Sequence, residues 1–426
     1  MTTTKNNEHK KLNFSSEREQ SQACLNSAEH EKNQGRKVLN VPNLRFKEFQ
    51  GEWKEERLAD IADLYKGTGI PKDQLSSDGE PCILYGELYT KYKSETIREV
   101  ISKTNIDNTK LVRSKANDVI IPCSGETAED IATARCVLNG NILLGGDLNI
   151  IRLHGYDGAF MSYQLNGRRK YDIAKVAQGV SVVHLYGEHL KGVKTFNPCL
   201  EEQKKIAGLL ALLDERIATQ NKIIEDLKKL KSAIIEIEYT PNTKTTSHIG
   251  NVIEQISKRN KNNAIQNVLS VSNRQGFIKQ SDQFENRNVA SEDTSNYKIV
   301  EKNDFAFNPA RINIGSIARL TTFEKGIVSP MYICFRTQEN VAPEYIDFFF
   351  ESKHFYCEIQ KRLEGSVRQC LSFEGLCNIP LSLPSFEMQQ LIGKRLFTLG
   401  QTIKTETDLL ELLNKQKQYL LRQMFI

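Results

Sequence analysis

From Pro198 to Tyr239 the hydrophobic positions of the chain fall into heptads. Ile206, Leu210, Leu213, Ile217, Ile224, Leu227 and Ile234 recur at alternating intervals of four and three once Gln220 and Lys231 are counted in the series. That spacing is the a/d seam of a coiled coil. The pattern occurs twice. Advancing every position by 186 residues gives Ile392, Leu396, Leu399, Ile403, Glu406, Leu410, Leu413, Lys417 and Leu420, with polar residues at the same two seam positions. Each copy opens after a proline, Pro198 or Pro384, and carries acid in its first turn, Glu201 and Glu202 or Glu387. Acid there suits the positive end of a helix. From Glu201 to Glu236 such a helix would span ~54 Å at ~1.5 Å per residue. A lone amphipathic helix of this length cannot bury its stripe, so each copy needs a partner. Identical register over nine seam positions predicts an antiparallel pair within one chain rather than two unrelated surface helices.

The rest of the chain divides around these helices. Residues 1–41 are polar and nearly free of aromatics, so they bury too little to offset their ordering entropy and are expected to be a disordered tail. A first globule is expected over 42–197. In it Cys82–Tyr85, Asp118–Pro122, Ile142–Leu144 and Asn149–Leu153 read as strands, and Ala159–Leu165 and Tyr171–Gln178 as helix. The first long helix, 198–239, stops at a polar hinge, 240–248, containing Pro241. A second globule, 249–383, repeats the order before the second long helix, 384–426. Asn117-Asp118-Val119-Ile120 corresponds to Asn303-Asp304-Phe305-Ala306, and Ile131-Ala132-Thr133-Ala134-Arg135 to Gly315-Ser316-Ile317-Ala318-Arg319. Gly179-Val180-Ser181-Val182 and Leu185 align with Gly365-Ser366-Val367-Arg368 and Leu371, again 186 residues on. The fold class is therefore α+β (mixed): two globules, a pair of long antiparallel coiled-coil helices, and an internal pseudo-twofold repeat.

Composition narrows the function only a little. A net charge of +5 permits a polyanion partner without demanding one. Nine cysteines, an odd number with no C-x-x-C pair, fit a reduced cytoplasmic chain better than a disulfide scaffold or a zinc site. No apolar run approaches the ~18 residues of a membrane span.

Catalytic patterns are missing from the text. Asn308-Pro309-Ala310-Arg311 is similar in part to the Asn-Pro-Pro-aromatic loop of adenine methyltransferases, but it lacks the second proline and the aromatic that would stack on a flipped base. Leu144-Gly145-Gly146-Asp147 reads as a turn between strands, and no G-x-x-x-x-G-K-[ST] occurs. His184, Glu188 and His189 do not form H-E-x-x-H, and Ser124-Gly125-Glu126 has no evident companion base. No catalytic residue, metal site or cofactor is expected on this chain.

Pro42-Asn43-Leu44-Arg45-Phe46 with Trp53, the turn Lys66-Gly67-Thr68-Gly69-Ile70, and Glu202-Gln203-Lys204-Lys205-Ile206-Ala207 with Asp214 and Ile217 together carry a resemblance. With the order globule, helix, globule, helix, the chain resembles the specificity subunit of type I restriction–modification enzymes from about residue 41 onward. The second copy departs from this pattern, with Met388-Gln389 for Glu202-Gln203 and Gly400 for Asp214. The resemblance implies two target-recognition domains at opposite ends of an antiparallel helix pair, each reading half of a bipartite, asymmetric double-stranded DNA target. The helices would act as a ruler between half-sites on the order of 34 Å apart. It also implies docking of two methyltransferase subunits and of restriction/translocase subunits. S-adenosylmethionine, ATP and Mg would then belong to those partner chains. The rival classes are a stand-alone DNA methyltransferase or nuclease, and a coiled-coil scaffold with no nucleic-acid role.

Contacts to DNA are sought among residue types on turns, since Arg and Lys read guanine edges or phosphates and Asn reads adenine. The candidates are Lys66, Lys72, Tyr89, Lys91, Arg113, Ser124 and Arg135 in the first globule, and Arg274, Arg311, Asn313, Arg319 and Arg368 in the second.

Overall fold

The computed structural model describes residues 39–107, 110–179, 182–240, 246–273, 275–283, 293–365 and 369–426. Most of the expected tail (1–38) and residues 241–245 of the expected hinge lie outside the described residues. The chain forms two compact units, Met1–Glu215 with Lys415–Ile426, and Arg216–Asn414.

The core of the first unit is a five-stranded sheet in the order Ala62–Lys66, Leu148–Leu153, Asp118–Pro122, Arg135–Val137, Thr96–Ile97. Its neighbours pair antiparallel except the last, which is parallel. Val119, Ile120 and Ile121 are covered on both faces, which explains a continuous apolar run where a half-exposed strand would alternate. The helix Gly158–Asn166 lies against this sheet, capped by Asp157, whose carboxylate accepts from the Phe160 amide at 2.8 Å. A second sheet has the order Leu75–Ser76, Ser102–Thr104, Glu80–Ile83, Leu143–Leu144, Val112–Arg113.

The second unit repeats this plan with fewer strands. Its main sheet runs Ile253–Ile256, Ile333–Thr337, Phe305–Phe307, Ile317–Arg319, the same neighbour order as the first four strands above. The repeat extends to single interactions. Asn117 and Asn303 both take left-handed backbone, φ 78° and 71°. The buried Asp118 accepts from Arg152 at 2.8 and 2.9 Å and from the Lys115 amide at 2.7 Å. Asp304 accepts from Arg336 at 3.1 Å and from the Glu301 amide at 2.7 Å. The aligned Asn-Asp pairs are thus a turn and an ionic latch.

Two expected elements end early. The strand at Glu80–Ile83 leaves Tyr85 in a turn, and the helix Lys170–Val176 stops before Gln178, whose amide donates to the His184 carbonyl instead.

The long helices are α1 (Leu200–Tyr239) and α2 (Phe386–Gln423). In the first unit Ile206, Ala207 and Leu210 of α1 share a core with Trp53, Phe160, Tyr163, Met424 and Phe425, against which Leu420 packs. In the second unit Ile235 and Tyr239 share a core with Ile392 and Leu396. The start of α1 meets the end of α2 and the reverse, so the helices run antiparallel. Along the seam Ile206, Leu210, Leu213, Ile224, Ile392, Leu396 and Leu413 are buried. Ile217, Leu227, Ile234, Leu399, Ile403, Leu410 and Leu420 are half-buried.

The polar seam positions have specific partners. Gln220 donates to the carboxylate of Glu406 at 2.5 Å and to its carbonyl at 3.0 Å. These residues are equivalent in the repeat, 186 positions apart. Lys417 leaves the seam to bind Glu95 at 2.5 Å and Asp214 at 2.6 Å, with its ammonium 5.8 Å from the centre of the Tyr163 ring. Tyr163 and Ser94 also donate to Asp214. Its counterpart Lys231 binds Glu351 at 2.6 Å and lies over Phe348. With Gly400 in place of Asp214, the second copy has no acid on its helix for that lysine, and a globule glutamate serves instead.

The first turns of the helices are held alike. Gln203 accepts from the Asp157 amide (2.9 Å) and donates to the Pro198 carbonyl (2.8 Å), while Gln389 accepts from the Ala342 amide (3.0 Å) and donates to the Pro384 carbonyl (2.9 Å). Glu202 takes a two-pronged bond from Arg45, both at 2.8 Å, which accounts for the Pro-Asn-Leu-Arg-Phe segment beside the first helix.

Leu210→Ala should cost ~2–5 kcal/mol in urea denaturation, because its side chain is wholly enclosed. Leu212→Ala, at a position 66% exposed, should stay within ~0.5 kcal/mol. Equal losses would show that the packed stripe is misplaced.

Lys417→Met removes the cation bonded to two carboxylates, Glu95 and Asp214, and should cost ~3–5 kcal/mol at pH 7. Burial already raises the affinity of Glu95 for a proton. Without Lys417 the folded-state pKa of Glu95 moves further above its unfolded value, so protonation relieves the variant more than the wild type. The deficit should narrow as pH falls from about 7 to about 5. Denaturation midpoints at the two pH values test the sign.

Candidate nucleic-acid interface

In the first unit the central strand Asp118–Pro122 leads through Cys123 into the short strand Ser124–Gly125, which pairs with Val183–His184. Cys123 anchors the crossing. Its amide donates to the Asp147 carbonyl at 2.7 Å, and its carbonyl accepts from the Leu185 amide at 2.8 Å. Three cavities open around this point. One of about 540 Å³ is lined by Tyr85, Tyr89, Ser124, Glu126, Asp130 and Val182 among others. Another of about 350 Å³ includes Lys66, Ser124, Asp147, Asn149, His184 and Tyr186. The third, about 810 Å³, includes Ile70, Lys72, Tyr85, Lys91 and Asp147. Shared walls at Ser124, Tyr85 and Asp147 join them into one concave surface.

Backbone geometry explains why glycine punctuates this surface. A side chain at Gly67 would place its Cβ 2.0 Å from the Gly145 carbonyl oxygen, so the Lys66–Ile70 turn can cross the Gly145-Gly146 turn only as glycine. Gly179 and Gly365 take φ of 122° and 103°, each just after the first residue of an isolated bridge, Gln178 with His184 and Glu364 with Cys370. These equivalent bridges flank the aligned Gly179 and Gly365 segments of the sequence. Val182 of the first borders the 540 Å³ cavity.

Of the first-globule candidates, five line this surface in different states. Lys66 and Lys72 are exposed, with Lys66 3.9 Å from Asp147. Tyr89 is half-buried and donates to the Ser124 carbonyl at 3.1 Å, and burial pushes its phenol pKa up. Ser124 Oγ is 3.3 Å from His184 Nδ1, longer than the ~2.6–3.2 Å of a nucleophile and its base. Lys91 is held by Glu87 at 2.7 Å and Ser102 at 2.6 Å. Arg113, on the second sheet, is held by Glu80 at 2.6 Å.

Arg135 departs from the expectation. It is turned inward, donating to the carbonyls of Ala134 and Tyr92 at 3.0 and 3.2 Å, and burial lowers its pKa. It braces the sheet from a half-buried position. Arg319 of the second globule is buried, paired with Glu344 and, at 3.1 Å, with Asp347. Both arginines end an aligned Ala-Arg segment and find their partners within the globule, backbone carbonyls for Arg135 and the carboxylates of Glu344 and Asp347 for Arg319.

In the second unit the turn equivalent to Cys123–Gly125 is Pro309–Arg311. The Pro309 carbonyl accepts from the Leu371 amide at 3.0 Å, as Cys123 does from Leu185. Asn308 closes this turn on itself, its carbonyl side chain accepting from the Ala310 amide at 3.1 Å. Arg311 is exposed, and Asn313 is half-buried on the one-turn helix Ile312–Ile314. Arg274 and Arg368 lie outside the described residues.

Glu126, Asn149, His184 and Tyr186 also line this surface, and no local motif marks them as DNA contacts. The pairing of Cys123 with Pro309 at the offset of 186 was the signal that could have led to them. His184 and His189 make ring contacts with Tyr186, and among the described residues no cluster of His, Cys, Asp and Glu could hold a metal ion. Burial pushes the Cys123 thiol up to about 11, which leaves it protonated and unreactive at neutral pH. No helix among the described residues is long and apolar enough to cross a membrane.

Residues 50–229 and 235–415 each match the family described as the type I restriction modification DNA specificity domain. The chain belongs to this family. The two matches follow one another along the chain as the repeat does, each taking in a globule and most of one long helix. A type I restriction enzyme specificity subunit of Methanocaldococcus jannaschii, MjaVIII, is 24% identical over 410 residues, covering 88% of this chain and 93% of the relative. The crystal structure of a type I restriction–modification S subunit from M. genitalium superposes with a TM-score of 0.60 at 16% identity, covering 91% of this chain and 99% of that one. The protein is thus a specificity subunit of a type I restriction–modification system, a non-catalytic chain with DNA-binding target-recognition domains.

The specificity subunit should tolerate changes at Lys66 but not at Arg135. Arg135→Ala removes the side-chain donor to the Tyr92 carbonyl, while the Ala134 carbonyl keeps the Asn166 amide, and should cost ~1–3 kcal/mol. Lys66→Ala should change the midpoint of thermal unfolding within error. Equal effects would mean that Arg135 is not structural.

Proposed function

We propose that the specificity subunit reads a bipartite, asymmetric double-stranded DNA sequence, one half-site with each globule. The target-recognition domains are residues 42–197 and 249–383. The helices, 198–239 and 384–426, with the hinge 240–248, set the separation of the half-sites. The supporting observation is the pair of equivalent turns. A shared frame, held by Cys123 with Leu185 in one copy and Pro309 with Leu371 in the other, carries different side chains, Ser124-Gly125-Glu126 against Ala310-Arg311-Ile312. A conserved frame with altered contents suits two readers of different sequences.

Lys66, Lys72 and Ser124 are the first-globule residues best placed to meet DNA, with Arg311 and Asn313 in the second. Tyr89, Lys91 and Arg113 support the surface. Base edges would be read by the cavity walls, and phosphates by the exposed lysines. The outer face of α1 carries Ile223, Leu230 and Ile237 seven residues apart and exposed. This stripe supports docking of a helical partner, and the repeat supports two methyltransferase subunits, with restriction/translocase subunits completing the assembly. Methyl transfer from S-adenosylmethionine and ATP- and Mg-dependent cleavage belong to those subunits, in the cytoplasm.

Replacing residues 249–383 with the matching segment of another specificity subunit should change one half of the methylated sequence only. Mapping methylated adenines after assembly with the methyltransferase subunit reads the outcome. A swap that alters both halves, or neither, would show that recognition is not divided between the globules.

A further inference from the structure

We propose that Glu126 reads the N4 amino group of a cytosine in the half-site bound by the first globule. The assignment rests on the reading that this globule binds DNA through its concave surface.

Glu126 directly follows the strand Ser124–Gly125 and borders the 540 Å³ cavity. That strand is held on both sides. Tyr89 donates to the Ser124 carbonyl, and the Gly125 Cα sits so close to its neighbours that a Cβ would lie 3.2 Å from the Tyr89 hydroxyl and 3.3 Å from Ile131 Cβ. The residue after it therefore leaves a fixed point. The other carboxylate of the cavity, Asp130, is already engaged, accepting from the Thr127 hydroxyl at 2.6 Å, while Thr127 caps the short helix Ala128–Ile131. Glu126 is exposed, and no ion pair holds it among the described residues.

A free carboxylate on a DNA-binding surface is repelled by phosphates unless it meets a donor. In the major groove only cytosine N4 and adenine N6 donate, while guanine and thymine present acceptors. Adenine sets its N7 lone pair beside N6, which repels a second carboxylate oxygen, and cytosine has no such acceptor. A carboxylate thus favours cytosine. The second globule places Arg311 at the equivalent turn, a donor suited to guanine O6 and N7. Arg311 is the counterpart of Gly125, one position before that of Glu126, so the repeat keeps the turn while the charged side chain shifts by one position and changes sign.

The test uses the specificity subunit assembled with its methyltransferase partner on a randomised DNA library, with methylated adenines mapped by sequencing. The wild type should require cytosine at one position of one half-site. Glu126→Ala should relax that position by about tenfold to a hundredfold. Glu126→Gln should shift it toward adenine, because an amide can accept from N6 and donate to N7. Arg311→Ala should relax a position in the other half-site only. Assembled Glu126→Gln and Glu126→Ala complexes that both keep the wild-type half-site would overturn the assignment, as would a half-site without cytosine. A wild-type complex that methylates without sequence preference would instead overturn the DNA-reading proposal beneath it.

Discussion

Two helices of about forty residues, each with a single apolar stripe, are stable only when the stripes are buried against something. Here they bury one another, and the ends of the pair run into globular cores. Ile206 and Leu210 join Trp53, Phe160 and Phe425, while Ile392 and Leu396 join Ile235 and Tyr239. Each globule therefore packs on both helices, and neither core is complete with one helix alone. This interdependence explains why the last residues of the chain, Met424 and Phe425, lie in the core of the first unit.

Apolar seams slide, and polar seam residues stop them. A leucine gains nearly the same burial one heptad up or down, but Gln220 finds Glu406 in one register only, and Lys417 finds its two acids in one register only. The lysine network also ties helix to globule, because Glu95 and Ser94 come from the globule and Asp214 from α1. Replacing a buried ion pair by apolar residues is often no loss of stability, so the value of this one lies in alignment. A ruler between DNA half-sites would need that alignment.

The repeat shows which parts of the frame are structural and which are free to diverge. The latches Asp118 with Arg152 and Asp304 with Arg336, the glutamines Gln203 and Gln389, and the bridges Gln178 with His184 and Glu364 with Cys370 recur in both copies. The latches hold the main sheet, and the glutamines hold the helix entry. What differs is the turn after the central strand and the walls around it. Divergence in turns and outer strands around a shared frame lets specificity vary without endangering the fold.

The sequence alone determined the long helices, their seams, their antiparallel pairing and the repeat, because heptad periodicity records burial directly and two copies in one register are hard to produce otherwise. It also marked the central strand Asp118–Pro122, whose apolar run is continuous. Tertiary structure decided the rest. Arg135 and Arg319 read as surface cations, yet their guanidinium groups serve interior carbonyls and carboxylates, and nothing in local sequence distinguishes those surroundings. Glu126 and His184 stand 58 residues apart, and the pairing of the strands Ser124–Gly125 and Val183–His184 alone brings their segments to one surface. A helical stripe is written in consecutive residues, so it is legible in the chain. A recognition surface is assembled from distant turns by sheet pairing, so it becomes visible only once the chain has folded.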